Sequence, residues 1–96
     1  MSMKNPAHPG RLIKNELDEI GLSVAAAAEG LGVTCQQLYN VINGRSAVTP
    51  EMAIRLEQGI GSTADTWLRM QASYNLAQVR LRRVQIKVRK LVPKVA

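Results

Sequence analysis

The segment Ser23–Gly44, SVAAAAEGLGVTCQQLYNVING, constrains the fold more than any other part of the chain. Ser23 offers a hydroxyl that can accept a hydrogen bond from an orphan amide at a helix start. An alanine-rich run follows and meets Gly30, Leu31 and Gly32. A glycine at a helix end tolerates the left-handed backbone that stops the helix. Val33 is then expected to point inward and Thr34 to cap a second helix. That helix buries Leu38 and either Val41 or Ile42, at spacings of three and four. It turns Gln36, Gln37, Tyr39, Asn40 and Asn43 outward. Two short helices around a glycine turn, the second carrying amide side chains, follow the helix-turn-helix plan. In that plan the second helix enters the DNA major groove. Gln and Asn suit the task because each can both give and take a hydrogen bond at the N6/N7 edge of adenine.

The remaining composition agrees with a small binding domain. Ninety-six residues make one domain, and 46 % apolar residues are enough to fold it. Aromatic residues are limited to Trp67, Tyr39 and Tyr74, so aliphatic side chains must build the core. No run is apolar enough to span a bilayer, no signal-peptide layout opens the chain, and Cys35 has no intramolecular partner; a cytoplasmic location is the default expectation. The net charge of +6 is unevenly placed. Up to Ala77, six basic residues stand against seven acidic ones, a net −1. From Gln78 onward there are seven basic residues and no acidic one. A near-neutral body with a cationic tail points to an anionic partner.

Read in order, the chain predicts an arm over residues 1–8, a body over 9–80 with the helix-turn-helix at about 23–44, and a basic tail over 81–96. Pro9 suits a first helical position, and Leu12, Ile13, Leu17 and Ile20 give a helical stripe closed by Gly21. Arg45–Val48 reads as a loop. Thr49-Pro50-Glu51 opens a fourth helix with Met52, Ile54, Leu56 and Ile60 as apolar positions, ending at Gly59–Gly61. Ser62 is expected to cap a fifth, with Asp65 in its first turn and Trp67, Leu68, Met70, Tyr74 and Leu76 along it, running to about Arg83. The tail reads both ways: Leu81, Val84, Val88 and Leu91 recur at helical spacing, while Val84, Ile86 and Val88 alternate at strand spacing.

The chain resembles the HigA-type antitoxins, a subgroup of the Cro/phage-repressor-like (XRE) helix-turn-helix proteins. The likeness rests on HPGRLIKNELDEIGLS, on the Asn43-Gly44 pair that closes the helix-turn-helix, and on Val48–Arg80 with its Thr49-Pro50-Glu51-Met52-Ala53 and Trp67-Leu68-x-Met70-Gln71 elements. It implies an all-α, five-helix phage-repressor-like DNA-binding domain followed by a basic C-terminal extension. It further implies an antitoxin of a type II toxin–antitoxin pair that represses its own promoter and neutralises a RelE-like, HigB-type toxin that cuts messenger RNA.

Matched to the phage-repressor pattern, Cys35, Gln36 and Asn40 are expected to face bases. Thr34, Gln37, Asn43 and Arg45 lie nearer phosphates, Tyr39 does either, and Ser23 combines its cap with a backbone contact. A solvated helix face is the plain alternative for these amides. Trp67, Met70 and Tyr74 share one face, read first as core and second as a homodimer seam; a dimer would place two reading helices about 34 Å apart on a palindromic operator. The tail cations are read as solvating or DNA-contacting, with toxin contact left to Val84, Ile86 and Val88. His8 is expected to be an exposed arm residue, and with Cys35 it makes no metal site. No catalytic constellation, phosphate-cradling loop or cofactor motif is present in the sequence, so a non-enzymatic role without cofactor is expected. Two further readings stay open: a stand-alone repressor without a toxin, and a protein-interaction module.

Overall fold

The computed structural model describes residues 6–82 and 85–94. It contains five helices: α1 (Pro9–Ile20), α2 (Val24–Leu31), α3 (Cys35–Ile42), α4 (Pro50–Gly59) and α5 (Ala64–Leu81). The fold is all-α, and the described residues contain no strand.

Local chemistry sets the helix boundaries. Ser23, Thr34, Thr49 and Thr63 each accept from the backbone amide three residues on, satisfying one orphan donor at the starts of α2, α3, α4 and α5. The fifth cap is Thr63 rather than Ser62. Gly61 and Ser62 both take positive φ, 124° and 60°, and this bend brings the next hydroxyl to the cap position. Glu57 Oε2 also accepts from Ala64 N at 2.9 Å, tying the start of α5 to α4. The helix ends at Leu81, two residues short of the expected Arg83. Arg83 and Val84 lie outside the described residues.

α1 is capped by His8, whose Nδ1 accepts from Gly10 N at 3.0 Å. His8 is thus a half-buried cap and not an exposed arm residue: Pro9 has no N–H to satisfy, and the first free amide of α1 turns back onto the imidazole.

The core is aliphatic except for one indole. Ile13 and Leu17 of α1, Leu38 of α3, Leu56 of α4 and Trp67 of α5 are essentially fully buried. Each of the aliphatic four contributes about 1.5–3 kcal/mol relative to an exposed position. Ala27, Ala28 and Ala53 fill the narrow spaces between helices. Three expected apolar positions stand in solvent instead: Ile20 is 57 %, Ile54 46 % and Leu76 49 % exposed. Ile54 lies two residues from both Met52 and Leu56, on the opposite face of α4. Ile20 is the last residue of α1, beyond its core contacts. Residues 86–94 form neither helix nor strand and are exposed throughout, Val88 and Leu91 to 81 % and 92 %.

Candidate nucleic-acid interface

α2, its turn and α3 form one rigid unit. Gly32 closes α2 in the left-handed conformation, φ 75°. Arg55 of α4 adds a clamp: its Nη1 donates to the Leu31 carbonyl at 2.8 Å and to the Gly32 carbonyl at 3.3 Å. This contact satisfies acceptors that the helix end leaves open. Thr34 and Gln37 then make a reciprocal capping box, Gln37 N donating to Thr34 Oγ1 at 3.0 Å and Thr34 N donating to Gln37 Oε1 at 2.8 Å.

α3 buries Leu38 and Val41, while Ile42 is only partly covered. Cys35, Gln36, Gln37, Tyr39 and Asn43 are exposed, and Asn40 is half-buried at the edge of the same face. Gln36 Nε2 donates to Asn40 Oδ1 at 2.9 Å, an i,i+4 pair along the outer face. The pair holds both amides in register and leaves Gln36 Oε1 as an acceptor and Asn40 Nδ2 as a donor. An adjacent donor and acceptor match what the adenine major-groove edge requires. Gln37 is different. Its oxygen serves the capping box, so only its NH₂ group remains to reach outward.

The turn after α3 fixes Arg45. Gly44 takes φ 76°, and the Asn40 carbonyl accepts from both Arg45 N at 2.8 Å and Ser46 N at 3.1 Å. The guanidinium is exposed and makes no salt bridge among the described residues. Val48, buried at the end of this loop, donates from its backbone to Gln71 Oε1 at 2.8 Å. Gln71 is itself buried and passes its NH₂ on to Asn75.

Charge placement around the helix starts is selective. α4 and α5 carry Glu51 and Asp65 in their first turns, whereas α1, α2 and α3 carry no acidic residue there. The partial positive charge at the starts of α2 and α3, beside Ser23 and Thr34, therefore remains available to an anion.

The three residues of the suggested dimer seam separate. Trp67 is 1 % exposed and its indole N–H donates to the Gly61 carbonyl at 2.9 Å. It belongs to the protomer's own core and has no surface to offer a second copy. Met70 and Tyr74 are half-buried, Met70 packed on the core and Tyr74 edge-on to His8. No group of three His, Cys, Asp or Glu able to hold a metal ion occurs among the described residues. No described helix is long and apolar enough to cross a membrane.

Sequence reasoning missed four contributors to this geometry: the capping box, Arg55, Gln71 and the contact of Gly10 with α3. Only the first had a local signature, T-x-x-Q over Thr34–Gln37. At Gly10 a Cβ would collide with the Val41 and Ile42 carbonyls, so the glycine lets the start of α1 lie directly on the end of α3.

The family pattern described as helix-turn-helix matches residues 13–67, more than half of the chain. Virulence-associated protein A' of Dichelobacter nodosus is 44 % identical over 78 residues, covering 80 % of this chain and 68 % of that protein. Antitoxin HigA-1 of Vibrio cholerae is 34 % identical over 80 residues, covering 82 % and 75 %. Among solved structures, the Pseudomonas aeruginosa antitoxin HigA with the higBA promoter superposes with a TM-score of 0.80 at 27 % identity, covering 92 % of this chain and 100 % of that one. The chain belongs to the XRE-type helix-turn-helix family, in the group that holds the HigA antitoxins, and is a DNA-binding regulator rather than an enzyme.

Proposed function

We propose that this chain is the antitoxin of a type II toxin–antitoxin pair, which binds as a homodimer to a palindromic operator and neutralises a RelE-like, HigB-type toxin. The observation that carries the DNA half is the Gln36–Asn40 pair, held outward on a helix whose start bears no acidic residue. In this reading Gln36, Asn40 and Cys35 meet base edges. Ser23, Thr34, Gln37, Asn43 and Arg45 meet phosphates, and Tyr39 meets either. The HigA likeness supports the toxin half, and a cytoplasmic location beside the operator goes with this reading.

Dimerisation falls to the side of α5 where the half-buried Met70 and Tyr74 continue into the exposed Leu81. The tail cations add phosphate contacts, and Ile86 and Val88 are exposed apolar positions for the toxin.

Binding to the chain's own promoter, measured by fluorescence anisotropy with nonspecific competitor at stated salt, tests the DNA half. Co-purification with the product of the adjacent reading frame tests the toxin half. A chain that represses but captures no neighbouring product is a stand-alone repressor. One that gives no operator-specific complex is an interaction module.

A further inference from the structure

His8 is the one histidine of the chain, and its ring stands where three elements meet. Nδ1 caps α1 through Gly10 N. The ring packs against Tyr74 of α5, with centroids 4.9 Å apart and planes at 80°. It also covers Gly44, where a Cβ would lie 3.8 Å from its Cγ and 3.9 Å from its Cδ2. Gly44 and Ser46 flank Arg45, in the turn that leaves the reading helix.

We propose that His8 is a positioning residue for the DNA-contacting turn: in its neutral form it caps α1 while packing on Tyr74 and covering Gly44, and thereby seats the turn that carries Arg45 against the start of α1 and α5, so that operator binding requires the unprotonated ring. The inference rests on the operator-binding reading above.

The chemistry of the cap supplies the switch. A nitrogen that accepts from Gly10 N must keep its lone pair, so the neutral ring carries its proton on Nε2. Protonation at Nδ1 sets one donor against another and removes the cap. Of the charged and titratable groups on the surrounding elements, Arg11 of α1 and Arg69 of α5 line a groove with His8, Tyr74 of α5 packs on the ring and Arg45 stands in the turn; Lys14, Glu16, Asp18 and Glu19 of α1 and Asp65 and Arg80 of α5 do not line that groove. The charged groups that line this groove of about 470 Å³ are both cations, and no carboxylate stands in its wall. No carboxylate of that groove stands ready to pair with an imidazolium. Burial lowers the His8 pKa from its ordinary 6.5, and the Ser46 backbone bond opposes this more weakly. A folded pKa below the unfolded one means that the neutral ring's contribution is complete above pH 6.5 and is lost as pH falls through the lower, folded value.

The test compares wild type, His8→Asn and His8→Ala on a promoter fragment at constant ionic strength, from about pH 8 to about pH 5.5, where histidine is the group that titrates. Asparagine can still cap α1 but takes up no proton. Wild-type affinity is expected to fall about three- to tenfold on acidification, the size of a lost cap. The Asn variant should keep most of the affinity and lose the step; the Ala variant should be weak throughout. A flat wild-type profile, a profile that tightens with acid, or a step that survives His8→Asn overturns the inference. NMR provides an arm that needs no DNA. With a single imidazole to follow, the backbone amides of Gly44–Ser46 should titrate with the ring's midpoint in wild type and not in His8→Asn. Failure of all variants to bind any operator while those amides follow the ring defeats the DNA reading and leaves the coupling standing. Amides that ignore the ring defeat the coupling.

Discussion

Replacing Gly10 by alanine sets local preference against tertiary packing, with opposite signs. Gly10 lies in the first turn of α1 and is buried. Judged by helix propensity the change is favourable, since alanine exceeds glycine by about 1 kcal/mol in a helix interior and by less in a first turn. The structure gives the other sign. The new Cβ would fall within 3.0 Å of three backbone atoms, the Val41 and Ile42 carbonyl oxygens and Ile42 Cα. No side-chain rotation relieves a clash with backbone, so α1 must lift away from α3. Overpacking of this kind costs about 1–3 kcal/mol, which leaves a net loss of about 1–2 kcal/mol after the propensity gain. For a domain of this size each kcal/mol lowers Tm by about 4–8 °C. Urea unfolding followed by the fluorescence of Trp67, the single tryptophan and a fully buried one, reads the loss directly. Promoter affinity should drop with it, because the displaced atoms end the reading helix. A variant as stable as the parent, or more stable, would refute the claim that this contact seats α3.

Other expectations follow from single contacts. Gln36→Ala or Asn40→Ala should each weaken promoter binding by about 1–3 kcal/mol. The double variant should lose less than the sum, because the two amides act as a pair; unchanged affinity in both single variants, measured by anisotropy, removes the base-contact assignment. Gln71→Leu should cost about 1–3 kcal/mol in urea unfolding by stranding the buried Val48 amide, and a neutral result would mean that the loop finds another acceptor. Deleting residues 85–96 should flatten the dependence of promoter affinity on salt by about 0.9 per lost phosphate contact on logarithmic axes; an unchanged slope assigns the tail cations to solvent.

The chain's helix-turn-helix can be read directly from its residues because its determinants are local. Ser23, Gly32, Thr34 and Thr49-Pro50 act on amides and torsions within three or four residues of themselves, so their positions announce where helices start and stop. Alternating burial on α3 is equally local, since a 3.6-residue period separates Leu38 and Val41 from Gln36, Gln37 and Tyr39. Where sequence reasoning failed, the deciding partner lay far along the chain or on another element. Ser62 lost the cap to Thr63 because the backbone bends at Gly61. Trp67 keeps the first of its two readings, core, and loses the second, a dimer seam, because its own protomer buries it. His8 left the arm because Tyr74, 66 positions away, packs against it. Gly10, Arg55 and Gln71 acquired their roles from the carbonyls and amides of helices and loops that meet only after folding. Local hydrogen-bond chemistry thus determined the helices and which side chains of α3 face outward, whereas the mutual seating of the helices was decided by long-range packing, which no residue expresses until its distant neighbour arrives.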